Sequence, residues 1–89
     1  MDKGKLKLIL DQEKEKFANK TYKELSVLKD PTVYECGVGD GWYQVEVQIL
    51  EKNDKYVHIA VNVDDGGFPR SFIPLSTSFL VYKDGSVDK

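Results

Sequence analysis

The sequence is poor in most of the residues that site chemistry uses. Its 89 residues include one cysteine, Cys36, one histidine, His58, one tryptophan, Trp42, and one arginine, Arg70. A single cysteine excludes an internal disulfide, and one cysteine with one histidine excludes the common zinc ligand sets. With one arginine, the bidentate phosphate and guanine contacts that dominate nucleic-acid interfaces are nearly absent, so nucleic acid is not an expected partner. Long apolar runs are missing too. A membrane helix needs roughly 20 such residues, and the opening of the chain offers only Leu8 to Leu10 after three lysines. The expectation is a soluble cytoplasmic protein with no membrane partner and no cofactor.

Charge is plentiful but unevenly spread. Residues 1–30 carry eight lysines against six acids, whereas residues 31–89 carry five basic residues against nine acids, within a net charge of -2. The amino-terminal lysines alternate with acids, as they do on the solvated face of a helix. Between Lys5 and Asn19 the residues Leu6, Ile9, Leu10 and Phe17 recur at spacings of three, four and seven, which predicts a helix with a narrow apolar stripe. Thr21 and Glu24 form a capping box that starts a second helix at Tyr22, expected to run to about residue 29 and to bury Tyr22, Leu25 and Leu28. Pro31 stops it, because the residue before a proline avoids helical backbone.

Beyond Pro31 the period becomes two. Branched and aromatic residues concentrate in 32–36, 42–51, 55–63 and 79–83, and the connections are too short for parallel crossovers. The fold class is therefore α+β: two N-terminal helices packed on one face of a four- to five-stranded antiparallel meander, forming one domain over 1–89, with a frayed tail at 84–89. Its element order resembles that of cystatin-like and cone-shaped helix-plus-sheet architectures, a likeness that carries no functional weight. A short strand at Ser71 to Ile73, between Pro69 and Pro74, is expected at an edge.

The central hairpin allows a sharper deduction. Tyr43, Val45, Val47 and Ile49 share one face and Val57, Ile59, Val61 and Val63 another, and both rows belong in the core. A two-residue Asn53-Asp54 loop would set these rows on opposite faces, so a three-residue loop, Lys52 to Asp54, is expected. It pairs Ile49 with Val57, Val47 with Ile59, Val45 with Val61 and Tyr43 with Val63. Outward then point Trp42, Glu46, Leu50, Tyr56 and His58, with Leu50 beside Tyr56 and Glu46 diagonal to His58.

These outward residues are the candidate partner-binding site. Trp42, Leu50 and Tyr56 among acids and amides have the composition of a protein or ligand contact surface, unless the chain itself covers them. His58 is the one side chain suited to proton transfer near neutrality, with Glu46 or Asp64 to orient it, and otherwise a packing residue of the strand. Asp40, Asp64 and Asp65 are expected at one end of the sheet, where they would form a weak cation site or simply a turn, with Arg70 near enough to pair with one of them. The Gly37-Val38-Gly39-Asp40-Gly41 stretch lacks both the spacing and the following helix of a phosphate loop and reads as a turn with positive φ. Cys36 reads as a small core hydrophobe.

No nucleophile–base pair, metal cluster or phosphate loop is present to indicate an enzyme. The first functional expectation is a non-catalytic protein-interaction module of inhibitor or immunity type, monomeric or weakly dimeric. The alternatives are a small-ligand-binding or enzymatic cone-like domain built on His58, and self-association through the edge of the last strands.

Overall fold

A computed structural model describes residues 2–66 and 75–89. The chain opens with α1, Lys3–Ala18, which begins two residues earlier than the apolar stripe predicts because Asp2 caps it: the Asp2 carboxylate accepts from the Lys5 amide at 2.8 Å. Leu6, Leu10 and Phe17 are buried as expected, Ile9 is half-buried, and Leu8 is exposed. Next comes α2, Tyr22–Ser26, opened by the capping box at Thr21 and Glu24. It is shorter than the expected 22–29, a single turn and a half. The Ser26 hydroxyl donates back to the Tyr22 carbonyl at 2.7 Å, a bond that competes with helical continuation.

Five strands follow in a five-stranded antiparallel sheet whose spatial order is the chain order: β1 Thr32–Cys36, β2 Tyr43–Lys52, β3 Tyr56–Asp64, β4 Leu75–Tyr82 and β5 Val87–Asp88. The class is α+β, with one main helix and one short one. The strand expected at Ser71–Ile73 and the pairing expected of Arg70 lie outside the described residues. The tail is not frayed as expected. An Asp84-Gly85 turn, with φ +97° at Gly85, returns Val87 to pair with Val81, and Lys89 reaches Glu15 of α1 at 2.5 Å. No helix among the described residues is long and apolar enough to cross a membrane.

In the β2–β3 hairpin the parity of the deduction holds and its register does not. Observed partners are Val45 with Val63, Val47 with Val61 and Ile49 with Ile59, each two residues further along β3 than expected. The turn explains the shift. The Asn53 side-chain oxygen accepts from the amides of Lys55 and Tyr56 at 2.8 and 2.9 Å, and the Asn53 amide donates to the Tyr56 carbonyl at 3.0 Å. That clamp makes Asp54-Lys55 a two-residue turn. On its own, such a turn would bring Ile49 opposite Ala60 and misalign the apolar rows. A bulge between Ile49 and Glu51 leaves Leu50 unpaired and brings the rows back onto one face.

The buried cluster unites Leu6, Leu10, Phe17 and Ala18 of α1 and Leu25 of α2 with Val45, Val47, Val57, Ile59, Val61, Val63, Phe79 and Val81 of the sheet. Every strand residue in it belongs to the inward set of the alternation.

Candidate functional site

The outward residues follow from the observed ladder. Glu46 lies opposite Asn62 on one side and Val33 on the other, Gln48 opposite Ala60, Glu51 opposite His58, His58 opposite Leu80 and Tyr56 opposite Tyr82. All these residues share the face away from the buried cluster. Leu50, freed from the ladder by the bulge, keeps 53% of its surface exposed, and Val33 keeps 46%. Val33 thus stands in water on a face that carries acids, amides, phenols, His58, Ala60 and Leu80, and Leu50 stands in water at the bulge.

Trp42 enters this face from the 3-10 turn Gly39–Gly41. The turn is possible because Gly37 and Gly39 take positive φ, +77° and +57°, and a Cβ at Gly37 would lie 2.2 Å from the Gly41 carbonyl oxygen. The indole N–H donates to the Glu35 carboxylate at 2.8 Å, and the ring rests on Gly66, where a Cβ would come within 2.9 Å of it. The indole is therefore half-buried by the next turn of its own sheet.

Tyr56 donates its hydroxyl to Glu51 at 2.8 Å and meets the Tyr82 ring edge-on, centroids 5.8 Å apart. The bond to Glu51 raises the Tyr56 pKa above the ordinary phenol value. The Asn62 amide donates to Gln48 at 3.1 Å and more weakly to Glu46 at 3.5 Å.

Several expected neighbours are not brought together. Leu50 does not pair with Tyr56, because the bulge removes it from the ladder and Tyr56 lies beyond the strand pairing of β2. His58 is not diagonal to Glu46: the two-residue shift together with the bulge sets Glu51 opposite it, and the Glu51 carboxylate accepts from Tyr56. Asp64 accepts from the Gly66 amide at 2.9 Å, as a turn residue does, and Asp40 sits exposed in the 3-10 turn. Among the described residues no three His, Cys, Asp or Glu side chains stand close enough to hold a metal, so Asp40, Asp64 and Asp65 do not gather into one site.

A second polar constellation escaped the sequence reading. Glu13, 8% exposed, lies on the buried side of α1, where the Tyr34 hydroxyl donates to its carboxylate and the Lys16 ammonium stands 3.1 Å away. Lys16 also covers the Tyr34 ring at 4.9 Å. Desolvation, reinforced by the bond to Glu13, drives the Tyr34 pKa far above the ordinary phenol range. Tyr43, next to it on the inward face, is pushed up to about 12 by burial and by its bond to Cys36. Cys36 is half-buried there, not a fully buried hydrophobe. Phenols held neutral this firmly do not act as bases near neutrality; they tie the helix to the edge strand. The available signal was Tyr34 itself, an aromatic residue in the inward set of β1 with no apolar partner required of it.

Comparison of the chain with protein-family models, with curated proteins and with solved structures returns no match in any of the three.

Proposed function

We propose that the chain is a non-catalytic protein-interaction module that engages its partner through the outward sheet face, with Trp42, Leu50, Tyr56, His58 and Glu46 in the contact. With both helices packed on the valine-rich face, the opposite face has nothing from α1 or α2 to cover it. The observation that carries the reading is Leu50: a bulge lifts it out of the ladder and leaves it more than half exposed next to Glu51 in the strand. An apolar anchor ringed by polar groups matches the composition of contact surfaces. The module acts in the cytoplasm as a monomer or a weak homodimer, on protein and not on nucleic acid or membrane, in the manner of an inhibitor or immunity protein. The catalytic alternative built on His58 has less support, since Glu46 stands opposite Asn62 and not beside His58, and Asp64 caps the turn at Gly66.

The test is capture from the native cell extract by the immobilised chain and by its Leu50→Asp variant. Leu50 is exposed, so the variant melts like the parent, while its affinity for the captured protein falls by roughly tenfold or more, the usual weight of an anchor residue. Equal capture by both would remove the outward face from the interaction.

A further inference from the structure

The α1–α2 junction and the β4–β5 hairpin bound an open groove of 590 Å³ whose lining reaches Tyr82, the residue opposite Tyr56. Its floor is apolar, made by Ala18, Tyr22, Val81 and Val87, and its rim carries Lys20, Lys23 and Lys83. None of these lysines stands in an ion pair among the described residues. Lys20 rests over the Phe17 ring at 5.9 Å. The one acid lining the groove, Asp84, accepts from the Ser86 amide at 2.9 Å and the Ser86 hydroxyl at 2.7 Å, bonds that hold its pKa below the usual carboxylate value and keep it ionised, so it offsets one of the three lysines. Glu24, the acid nearest Lys20, is committed to the Thr21 amide at 2.9 Å.

Three ammonium groups against one carboxylate therefore line an apolar floor on a chain whose net charge is -2, with Glu24 acting on Lys20 from outside the groove. Packing does not require this arrangement, and like charges gathered on a rim repel unless an anion joins them. At the start of α2 the capping box takes the Thr21 and Glu24 amides, and a helix of five residues supplies no anion site of its own. The charge comes from the lysines alone. We infer that this groove is a second binding site, adjoining the outward sheet face only at Tyr82, for an acidic peptide segment carrying one large apolar side chain. The apolar side chain lies on Tyr22, Val81 and Val87, and flanking carboxylates meet Lys20, Lys23 and Lys83. An open groove suits a segment of chain, which needs only one side buried, better than a small molecule that needs enclosure. Compact ammonium groups without arginine suit carboxylates, which a point charge satisfies.

The experiment is an amide NMR titration of the full chain with an acetylated, amidated peptide of sequence Asp-Glu-Leu-Glu-Asp. Saturable shifts are expected at residues 20–23 and 81–87, with affinity falling roughly tenfold as ionic strength rises from about 0.02 M to about 0.15 M. The peptide with serine in place of leucine binds about tenfold more weakly, and the K20E/K83E double variant, which melts like the parent, gives no groove shifts. The Leu50→Asp variant binds the peptide unchanged, which separates this site from the sheet face. Absence of saturable groove shifts overturns the inference, as does equal affinity for the leucine and serine peptides. Groove shifts with phosphatidylserine vesicles and none with the peptide would give the site to a membrane surface and overturn it equally.

Discussion

The two faces of the sheet are written by alternate residues of the same strands, and they answer to different demands. Val45, Val47, Val57, Ile59, Val61 and Val63 are sealed against solvent, while of the residues between them Glu46, His58 and Asn62 stay half-exposed and Ala60 is buried. On the inward face nearly every atom contributes to stability and none is available to a partner. On the outward face the strands hold polar side chains that the fold would tolerate in many versions, together with Val33 and Leu50, which it would be no less stable without. Stability and recognition are thus separable by parity.

The heaviest blow to that separation falls on the inward face. Phe79 pairs with Ile59 at the centre of the cluster and is 2% exposed, so Phe79→Ala removes a large ring from a site that α1 and the neighbouring strands cannot fill. A loss of about 3 to 5 kcal/mol is expected in denaturant unfolding, a large share of the stability of a domain this size. An equal cost from Leu80→Ala, the outward neighbour, would mean the outward face is also packed.

Below that in size is the alkaline behaviour of the inward phenols. Tyr34 and Tyr43 have pKa values raised above the unfolded value of 10.0, Tyr43 to about 12. A raised pKa on an acid means that the native state favours the neutral form. The stabilisation is complete below pH 10 and is lost as pH climbs through the folded values. Melting temperature should therefore hold steady to about pH 10 and drop beyond it. The Tyr34→Phe variant should begin less stable, by about 1 to 3 kcal/mol, because Glu13 loses a donor while remaining buried, and should show a shallower alkaline decline. Tyr56→Phe, on the outward face, should make the alkaline limb shallower by less, because its bond to Glu51 lies in solvent.

How much of this was legible differs along the chain for physical reasons. The capping box, the apolar stripe of α1 and the alternation of β2 and β3 are local patterns, and they appear where the residues place them. That the two valine-rich rows share a face was also readable, since no other parity buries both. The register was not, because an odd-length loop and a bulge restore parity equally well, and the choice rests on Asn53, whose side chain clamps a two-residue turn. Glu13 was hidden because a charged residue on a helix reads as solvated until its partners across the sheet are known. Val87 and Asp88 are too few to show a period, so β5 read as a tail. Glu46, Tyr56 and His58 share one face of the ladder, Leu50 stands outside it in the bulge, and the neighbours of all of them changed with the register.

The smallest expected effect on stability is also the one that most sharply divides the faces. Leu50 is the extra residue of the bulge: Ile49 pairs with Ile59 and Glu51 with His58, consecutive positions on β3. Deleting Leu50 closes the gap in β2 without moving any ladder partner, so the inward rows keep their face and the Asn53 turn keeps its two residues. The cost should stay within about 1 kcal/mol, the strand losing mainly the extra local twist that a bulge supplies. Amide NMR would show the Val45–Val63 and Val47–Val61 cross-strand contacts intact. Capture of the partner, by contrast, should fail as it does for Leu50→Asp, since the deletion removes the anchor and flattens the surface that presents it. A deletion variant that lost its fold would mean the bulge is needed for the sheet to curve over α1, and Leu50 would then be exposed as a by-product of curvature. One that kept both fold and partner would leave the bulge with no role in recognition.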